Sequence, residues 1–306
     1  MAGWLGRDVW CIVIAKLLVG NVVVHMRAGH FKRNYENAGV LGRLIIRAAC
    51  SLISVGIVQA DSLKDQFDGL IPRRHIKRIY NAVDTAFYNN GPSATGDPMK
   101  VFFMGHISCA KGYCDILKAL PAIAEKYPEI VFQFAGTKLQ EERNIFFNQL
   151  TGEPLVCEDP DACYVTYIKD RFDKNYRYLG VVGEREKLKL FKECGIFLLP
   201  TYSEGFSMAI LEAMAMGKAI ICTPVGALGE IMVDGLHGLL LLPGDIERLK
   251  SHIVRLIEDP TLRHTMGAAN RLYAVDNFTI EKISGQLGDC FEELLSTQRH
   301  GKRYHS

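Results

Sequence analysis

Two glutamates, Glu204 and Glu212, flank the stretch of this sequence best suited to hold an anionic ligand. The residues run Pro200-Thr-Tyr-Ser-Glu-Gly-Phe-Ser-Met-Ala-Ile-Leu-Glu212 and on to Gly217. A buried strand is expected to end at Pro200, a turn to hold Glu204 and Gly205, and a helix to open near Phe206. Gly205 permits a tight turn and a close approach to a ligand. The amides of Phe206, Ser207 and Met208 then have no partner inside the helix, and the helix dipole adds positive potential there. Together they form an anion site suited to a diphosphate. Glu212 lies about 9 Å farther along the helix axis, where its carboxylate can accept bonds from both hydroxyls of a ribose. An ionised group in an apolar helix needs partners if it is buried. Purely structural pairing of Glu212 with a nearby cation is therefore the alternative.

The surrounding pattern alternates helix and strand. Periodicity predicts helices over 7–19, 38–52 and 61–67 and strands over 21–25, 55–58 and 77–80. A turn-rich linker follows at 89–98, NNGPSATGDP, and the pattern restarts. Strands are expected at 100–104, 130–135, 196–200, 219–222 and 239–242, and helices at 113–126, 184–194, 206–216, 246–258, 262–275 and 280–296. Residues 152–175 read as an inserted loop, its acidic run Glu158-Asp159-Pro160-Asp161 solvated. This order predicts an α/β protein with two doubly wound, Rossmann-like domains. Ligands should bind beyond the carboxyl ends of the strands. The expected domains are 1–95 and 96–277, with the final helix, 278–297, able to pack back on the first.

Composition fits this scheme. A chain of 306 residues, 48% hydrophobic and 23% charged, can bury the cores of two ordinary domains. Its net charge of +2 argues against a nucleic-acid binder. The first 100 residues nonetheless carry 13 Lys and Arg against 7 Asp and Glu, while the rest carry 23 against 27. Lys32, Arg33, Arg43, Arg47, Arg73, Arg74, Lys77 and Arg78 can therefore face an anionic membrane or a lipid-linked acceptor. The apolar runs 9–24 and 44–58 are interrupted by polar or charged residues and make poor membrane spans. Nine cysteines follow no repeating frame, and neither Cys109/Cys114 nor Cys157/Cys163 has the matching half of a zinc site. Such scattered thiols are expected to be reduced, as in a cytosolic protein.

The segment from Glu204 through EAMAMGKAIICTPVGALGEIMVDGLHGLLLLPGD resembles the C-terminal domain of glycosyltransferase family 4, whose members have the GT-B fold. The resemblance runs from about Val22 to the last helix. It implies that Glu204 contacts hydroxyls of a donor sugar, that Glu212 holds the ribose, and that the backbone of Gly205, Phe206 and Ser207, with Met208, cradles the diphosphate. The stretch Phe103-Met-Gly-His-Ile-Ser-Cys-Ala-Lys-Gly112 is similar to the family's G-R-x4-K-G loop. Gly105 and Lys111 keep that pattern, Lys111 as the diphosphate cation. His106 stands where an arginine is common, so its charge there depends on pH. By the same resemblance His25 is the strand-end histidine near the donor sugar, with Arg27 and His30 weaker acceptor-side candidates. Val182, with Val181, sits where relatives contact the nucleotide base. Asn81-Ala-Val-Asp84 resembles the N-G-V-D that precedes the family's linker.

The function this implies is a retaining glycosyltransferase of the hexosyltransferase type. It would move a sugar from a UDP- or GDP-linked donor to a hydroxyl of a glycan or lipid-linked acceptor. The setting implied is cell-surface polysaccharide or lipopolysaccharide synthesis, in the cytoplasm or on the inner face of the membrane. Glu204, His25 and Lys111 are the expected catalytic residues. No metal and no cofactor are expected, the helix start and Lys111 replacing a divalent ion. Relatives carry further βα units before the region matching Val22. The N-terminal domain is thus expected to be incomplete, and a truncated protein that binds nucleotide sugar without efficient turnover is the alternative. A Rossmann oxidoreductase is disfavoured, because no G-x-G-x-x-G follows a strand.

Overall fold

The predicted alternation of strand and helix folds into two sheets, and every strand pairing in both is parallel. The computed structural model describes residues 4–27, 31–89, 91, 96–139 and 146–303. His30 and part of the turn-rich linker lie outside these residues. The chain divides into two compact units: residues 1–81 with 281–306, and residues 82–280. The division falls at Asn81/Ala82, ahead of the turn-rich linker.

Unit 1 opens with a π-helical turn, Trp4–Asp8, that leads into α1 (Val9–Val19). It continues through β1 (Val23–Met26), α2 (Phe31–Glu36), α3 (Val40–Ser51), β2 (Val55–Val58) and β3 (Ile76–Arg78). The sheet order is β1-β2-β3. All four residues of β2 are buried, as befits the middle strand of a parallel sheet covered on both faces. The segment 61–67 forms a 3-10 helix where an α-helix is predicted. Among the described residues no helix is long and apolar enough to cross a membrane.

Unit 2 holds the larger sheet, ordered β6-β5-β4-β7-β8-β9. Its elements are β4 (Asp97–Met104), α4 (Tyr113–Lys126), β5 (Val131–Ala135), α5 (Pro160–Tyr167), β6 (Tyr176–Gly180), α6 (Glu184–Glu193), β7 (Cys194–Leu199), α7 (Met208–Ala215), β8 (Ala219–Cys222), α8 (Leu228–Ile231), β9 (Leu239–Leu240), α9 (Ile246–Glu258) and α10 (Pro260–Asn277). The central strand β7, CGIFLL, is buried at all six positions. Phe102, Phe191 and Phe197 close the core beside it, with ring centroids 5.2 to 5.9 Å apart. Helix α9 buries Leu249, Ile253, Leu256 and Ile257, one helical stripe, and Asp245 caps it by accepting the Arg248 amide at 3.0 Å. The last helix, α11 (Ile280–Arg303), belongs with unit 1, where the Asn21 side chain donates to the Leu294 carbonyl at 3.5 Å.

Three departures from expectation bear on function. First, 152–175 is no simple loop: α5 forms there, opened by Pro160 and capped by Asp159, which accepts the Ala162 amide at 2.9 Å. Second, the helix expected from Phe206 starts at Met208 with Ser207 as its N-cap. Third, Cys109 and Cys157 form a disulfide across 48 residues, where reduced thiols are expected throughout. The pairing is invisible in the spacing because the two residues meet only when the loop after β4 packs on the segment before α5.

Candidate functional site

The strand order of unit 2 reverses at β4. The chain builds outward through β5 and β6, then returns to the other side of β4 with β7. Loops leaving the carboxyl ends on either side of such a point separate and leave a crevice. A cavity of about 400 Å3 lies there. Met104, Gly105, His106 and Lys111 line it after β4, and Gly136 and Thr137 after β5. Val181, Val182 and Lys187 line it after β6, and Glu204 through Ala209 contribute Glu204, Phe206, Ser207, Met208 and Ala209. The loops after β4 and β5 touch because Gly136 has φ +145°; a Cβ there would come within 1.8 Å of the Gly105 carbonyl oxygen.

Lys111 ends the 3-10 turn Cys109–Lys111. That turn is tied to the loop after β7: the Tyr202 amide and the Thr201 hydroxyl both donate to the Ala110 carbonyl, at 2.9 and 3.1 Å. This brings Lys111 Nζ to 2.6 Å from Glu204 Oε1 and 3.2 Å from the Ser203 carbonyl. The predicted diphosphate cation and the predicted sugar-contacting carboxylate are thus an ion pair in the cavity wall. His106 lines the same wall and is exposed.

The helix start is shifted from its expected place. Ser207 Oγ accepts the Ile210 amide at 3.4 Å, so the amides without an intrahelical partner at the head of α7 are those of Met208 and Ala209. The amides of Phe206 and Ser207 precede the helix. Gly205 is also not the residue that takes the left-handed turn. Gly226 is, with φ +56°, and a Cβ there would lie 2.1 Å from the Glu204 carbonyl oxygen. The sharp backbone approach that supports Glu204 is therefore supplied from the loop after β8, at Gly226.

Glu212 lies behind the cavity wall and is 7% exposed. Its Oε1 accepts from Lys187 Nζ at 2.7 Å and from the Tyr88 hydroxyl at 3.1 Å. Lys187 also donates to Glu184 at 2.8 Å, and the Tyr88 hydroxyl, with one proton to share between the two carboxylates, lies 2.6 Å from Glu184 Oε2. Glu212 Oε2 is buried with no partner among the described residues. Burial raises the Glu212 pKa, against the hydrogen bond from Lys187 and its charge. Burial also opposes the charge on Lys187, but the bonds to Glu184 and Glu212 outweigh it and hold its pKa above the ordinary value. The consistent picture is a charged Lys187 shared by two carboxylates, with Glu212 the harder of the two to ionise.

Lys187 is the charged cavity residue that the sequence reading missed. It sits in a run of charges, EREKLKLFKE, that reads as a solvated helix face. The available signal is its spacing, because Lys187, Leu190 and Phe191 are the buried positions of α6 and form one stripe. Tyr88, just ahead of the stretch that reads as a linker, and Gln149, whose side chain accepts the Glu204 amide, were also missed.

His25 does not line this cavity. It lies on β1 in unit 1, opposite Ile57, and lines a separate cavity of about 630 Å3 with Arg7, Asp8, Cys11 and Ile12. Its ring is exposed, yet partial desolvation in the cavity mouth and then the neighbouring Arg27 charge lower its pKa. Arg27 donates to Asn81 at 3.2 Å. Among the described residues no three His, Cys, Asp or Glu side chains are placed to hold a metal ion.

A cation, a carboxylate and an open helix start converge on the carboxyl edge of the parallel sheet of an α/β protein. The chain belongs to the glycosyl transferases group 1 family, which it matches over residues 86–273. It is similar to the lipopolysaccharide core biosynthesis mannosyltransferase LpcC of Rhizobium leguminosarum bv. viciae, 29% identical over 89% of this chain and 80% of that protein. It is also similar to the uncharacterized glycosyltransferase MJ1178 of Methanocaldococcus jannaschii, 34% identical over 39% of this chain and 35% of that protein. Against a glycogen synthase of Mycobacterium tuberculosis it spans 53% of that protein's length. Among solved structures, Anabaena Alr3699/HepE in complex with UDP superposes with a TM-score of 0.75 at 19% identity, over 93% of this chain and 76% of that one. This likeness shows the fold: GT-B, α/β with parallel sheets.

Proposed function

We propose that the chain is a family 4 retaining glycosyltransferase that moves a sugar from a nucleoside-diphosphate donor to a hydroxyl of a glycan or lipid-linked acceptor. The observation that carries this reading is the Lys111–Glu204 pair in the wall of the cavity at the head of α7. A diphosphate entering that cavity meets Lys111 and the Met208 and Ala209 amides, and it draws Lys111 from Glu204. Glu204 is then released to accept bonds from the donor sugar. Glu212 takes the ribose from the far side, with Lys187 beside it, while Val182 and Val181 face the base and Gly105 and His106 border the phosphates. The HepE structures hold UDP and UDP-glucose, which favours testing uridine donors first and GDP second.

Catalysis on this reading rests on the departing diphosphate, stabilised by Lys111 and the amides at the start of α7. No carboxylate pair is assigned to bracket the glycosidic bond as a retaining hydrolase requires. Attack by the acceptor on the face the diphosphate leaves gives retention. Neither a metal nor a cofactor is assigned a step.

The name of LpcC supports a role in surface polysaccharide synthesis, in the cytoplasm or on the inner membrane face. Unit 1 sharpens the proposed membrane contact. Arg73, Lys77 and Arg78 are held in ion pairs with Asp65, Glu293 and Asp61, and Lys32 with Asp68. Arg43 and Arg47 instead share α3 with Val40, Leu41 and Leu44, which are 58–71% exposed. Those two arginines are the better candidates for anionic lipid. The same exposed apolar face favours a second reading, nucleotide-sugar binding without efficient turnover.

Calorimetric titration with UDP and GDP, alongside Glu212→Ala and Lys111→Ala, tests the donor site. Binding of one nucleotide that both substitutions weaken supports it, and no binding by folded protein sinks it. Release of donor sugar to an acceptor then separates transferase from passive binder.

A further inference from the structure

Residues 146–157 take no part in the chemistry above, yet they touch both loops that perform it. They form a short antiparallel hairpin, with Phe147 bridged to Pro154. The Asn148 amide donates to Glu153 at 2.9 Å and the Leu155 amide to Phe146 at 2.8 Å. At the tip, Gln149 grips the backbone around Glu204 twice. Its amide donates to the Tyr202 carbonyl at 2.9 Å, and its side-chain Oε1 accepts the Glu204 amide at 3.0 Å. At the base, the disulfide from Cys157 reaches Cys109, the first residue of the turn that ends in Lys111. The hairpin thus spans from the loop carrying Lys111 to the loop carrying Glu204.

We propose that this hairpin is a redox-detachable strap, pinned by Cys109–Cys157, in which Gln149 is a positioning residue for Glu204. The strap rests on the reading of the cavity as the donor site. Oxidised, it fixes the Glu204 backbone so that the carboxylate faces the donor sugar. Reduced, it loses its anchor across a 48-residue separation, and the grip of Gln149 loosens. Cys157 is half-exposed and Cys109 buried, so a reductant reaches the Cys157 sulfur. A dithiol's thiolate attacks that sulfur, and Cys109 leaves as a thiolate and takes a proton. The second thiol of the reagent then closes the reagent's own disulfide and frees the Cys157 thiol. Two electrons and two protons pass to the protein.

The neighbouring thiols stay out of this exchange. Cys114 and Cys163 are both buried, and Cys114 is pushed well above the ordinary thiol range by its hydrogen bond with Cys163 and by burial. A protonated thiol is a poor nucleophile. The only disulfide among the described residues therefore opens without reshuffling, in a chain whose other described cysteines are free. In reducing compartments a disulfide of this kind serves sensing more often than stability.

The test uses the full chain, oxidised, after dithiothreitol, and as Cys157→Ser and Gln149→Ala. UDP and UDP-glucose are titrated, or GDP and GDP-mannose if GDP is the nucleotide that binds, and amide exchange is followed over 202–204. Reduction and Cys157→Ser are expected to speed that exchange and to weaken the sugar nucleotide about five-fold, the worth of one positioning hydrogen bond. UDP alone should hold within about two-fold. Gln149→Ala should do the same in both redox states, because its lesion lies beyond the anchor. Equal losses of UDP and UDP-glucose would mean general loosening and overturn the proposal, as would unchanged exchange after reduction. If no nucleotide binds in any state the donor-site reading falls, while the exchange rates still decide whether the disulfide pins Glu204.

Discussion

The cavity at the head of α7 is bordered by two lysine–glutamate pairs of the same chemistry and different setting. Lys111–Glu204 has side chains 22% and 12% exposed and joins a 3-10 turn to the loop after β7. Lys187–Glu212 has side chains 11% and 9% exposed, and Tyr88 and Glu184 complete its network. An ion pair that keeps some contact with solvent costs less to exchange than one closed off from it. A buried pair is held because leaving either charge alone is expensive. The contrast teaches that, on the proposed reading, one pair is a latch that a diphosphate would open, and the other is part of the frame against which the ribose would be placed.

The comparison breaks most sharply on stability. Lys187→Ala leaves Glu212 buried with only Tyr88 as donor, and is expected to cost about 3–5 kcal/mol in urea unfolding. Lys111→Ala should cost less than that in the same measurement, yet lower kcat by about 10²–10³-fold in a donor-transfer assay, the worth of a lost leaving-group contact. Equal destabilisation by the two would erase the distinction.

Next in size is the response to pH. Burial raises the Glu212 pKa, so its carboxylate is lost at higher pH than an ordinary glutamate's as the solution is acidified. Nucleotide affinity should fall on the acid side with a midpoint above 4.5, and Glu212→Gln should bind weakly and without that acid limb. The stability sign is opposite. A raised folded-state pKa favours the fold at low pH, and that contribution is lost as pH rises through it. Loss of affinity while the protein stays folded therefore reports the site, and a melting curve run in parallel separates the two. The smallest effect is expected at Ser207→Ala, which removes the α7 cap at about 1 kcal/mol of stability. Nucleotide affinity should drop only a few-fold, since the Met208 and Ala209 amides remain.

Much of the frame is legible in the residues because it depends on local pattern. Strands 55–58 and 219–222 and helices 113–126 and 246–258 stand where periodicity places them. Other elements were misread for identifiable reasons. The strand β6, YRYLG, is an edge strand with two exposed residues and no apolar run. Helix α5 follows an Asp159-Pro160 start signal that its acidic neighbours disguise as loop. At α7 the Ser207 cap moves the helix start two residues beyond the expected Phe206, and with it the anion-facing amides.

The sequence by itself determined the alternation of parallel strand and helix and the loop sites of Lys111 and Glu204. It also placed Glu212 on the helix behind them, since periodicity and turn chemistry act over a few residues. Only the tertiary structure decided what those groups touch. Lys111 meets Glu204 across 93 residues, Lys187 meets Glu212 across 25, Gln149 meets the Glu204 amide across 55, and Cys109 meets Cys157 across 48. Each contact forms where strand order brings distant loops or helices together at one edge of the sheet, and no local spacing records it.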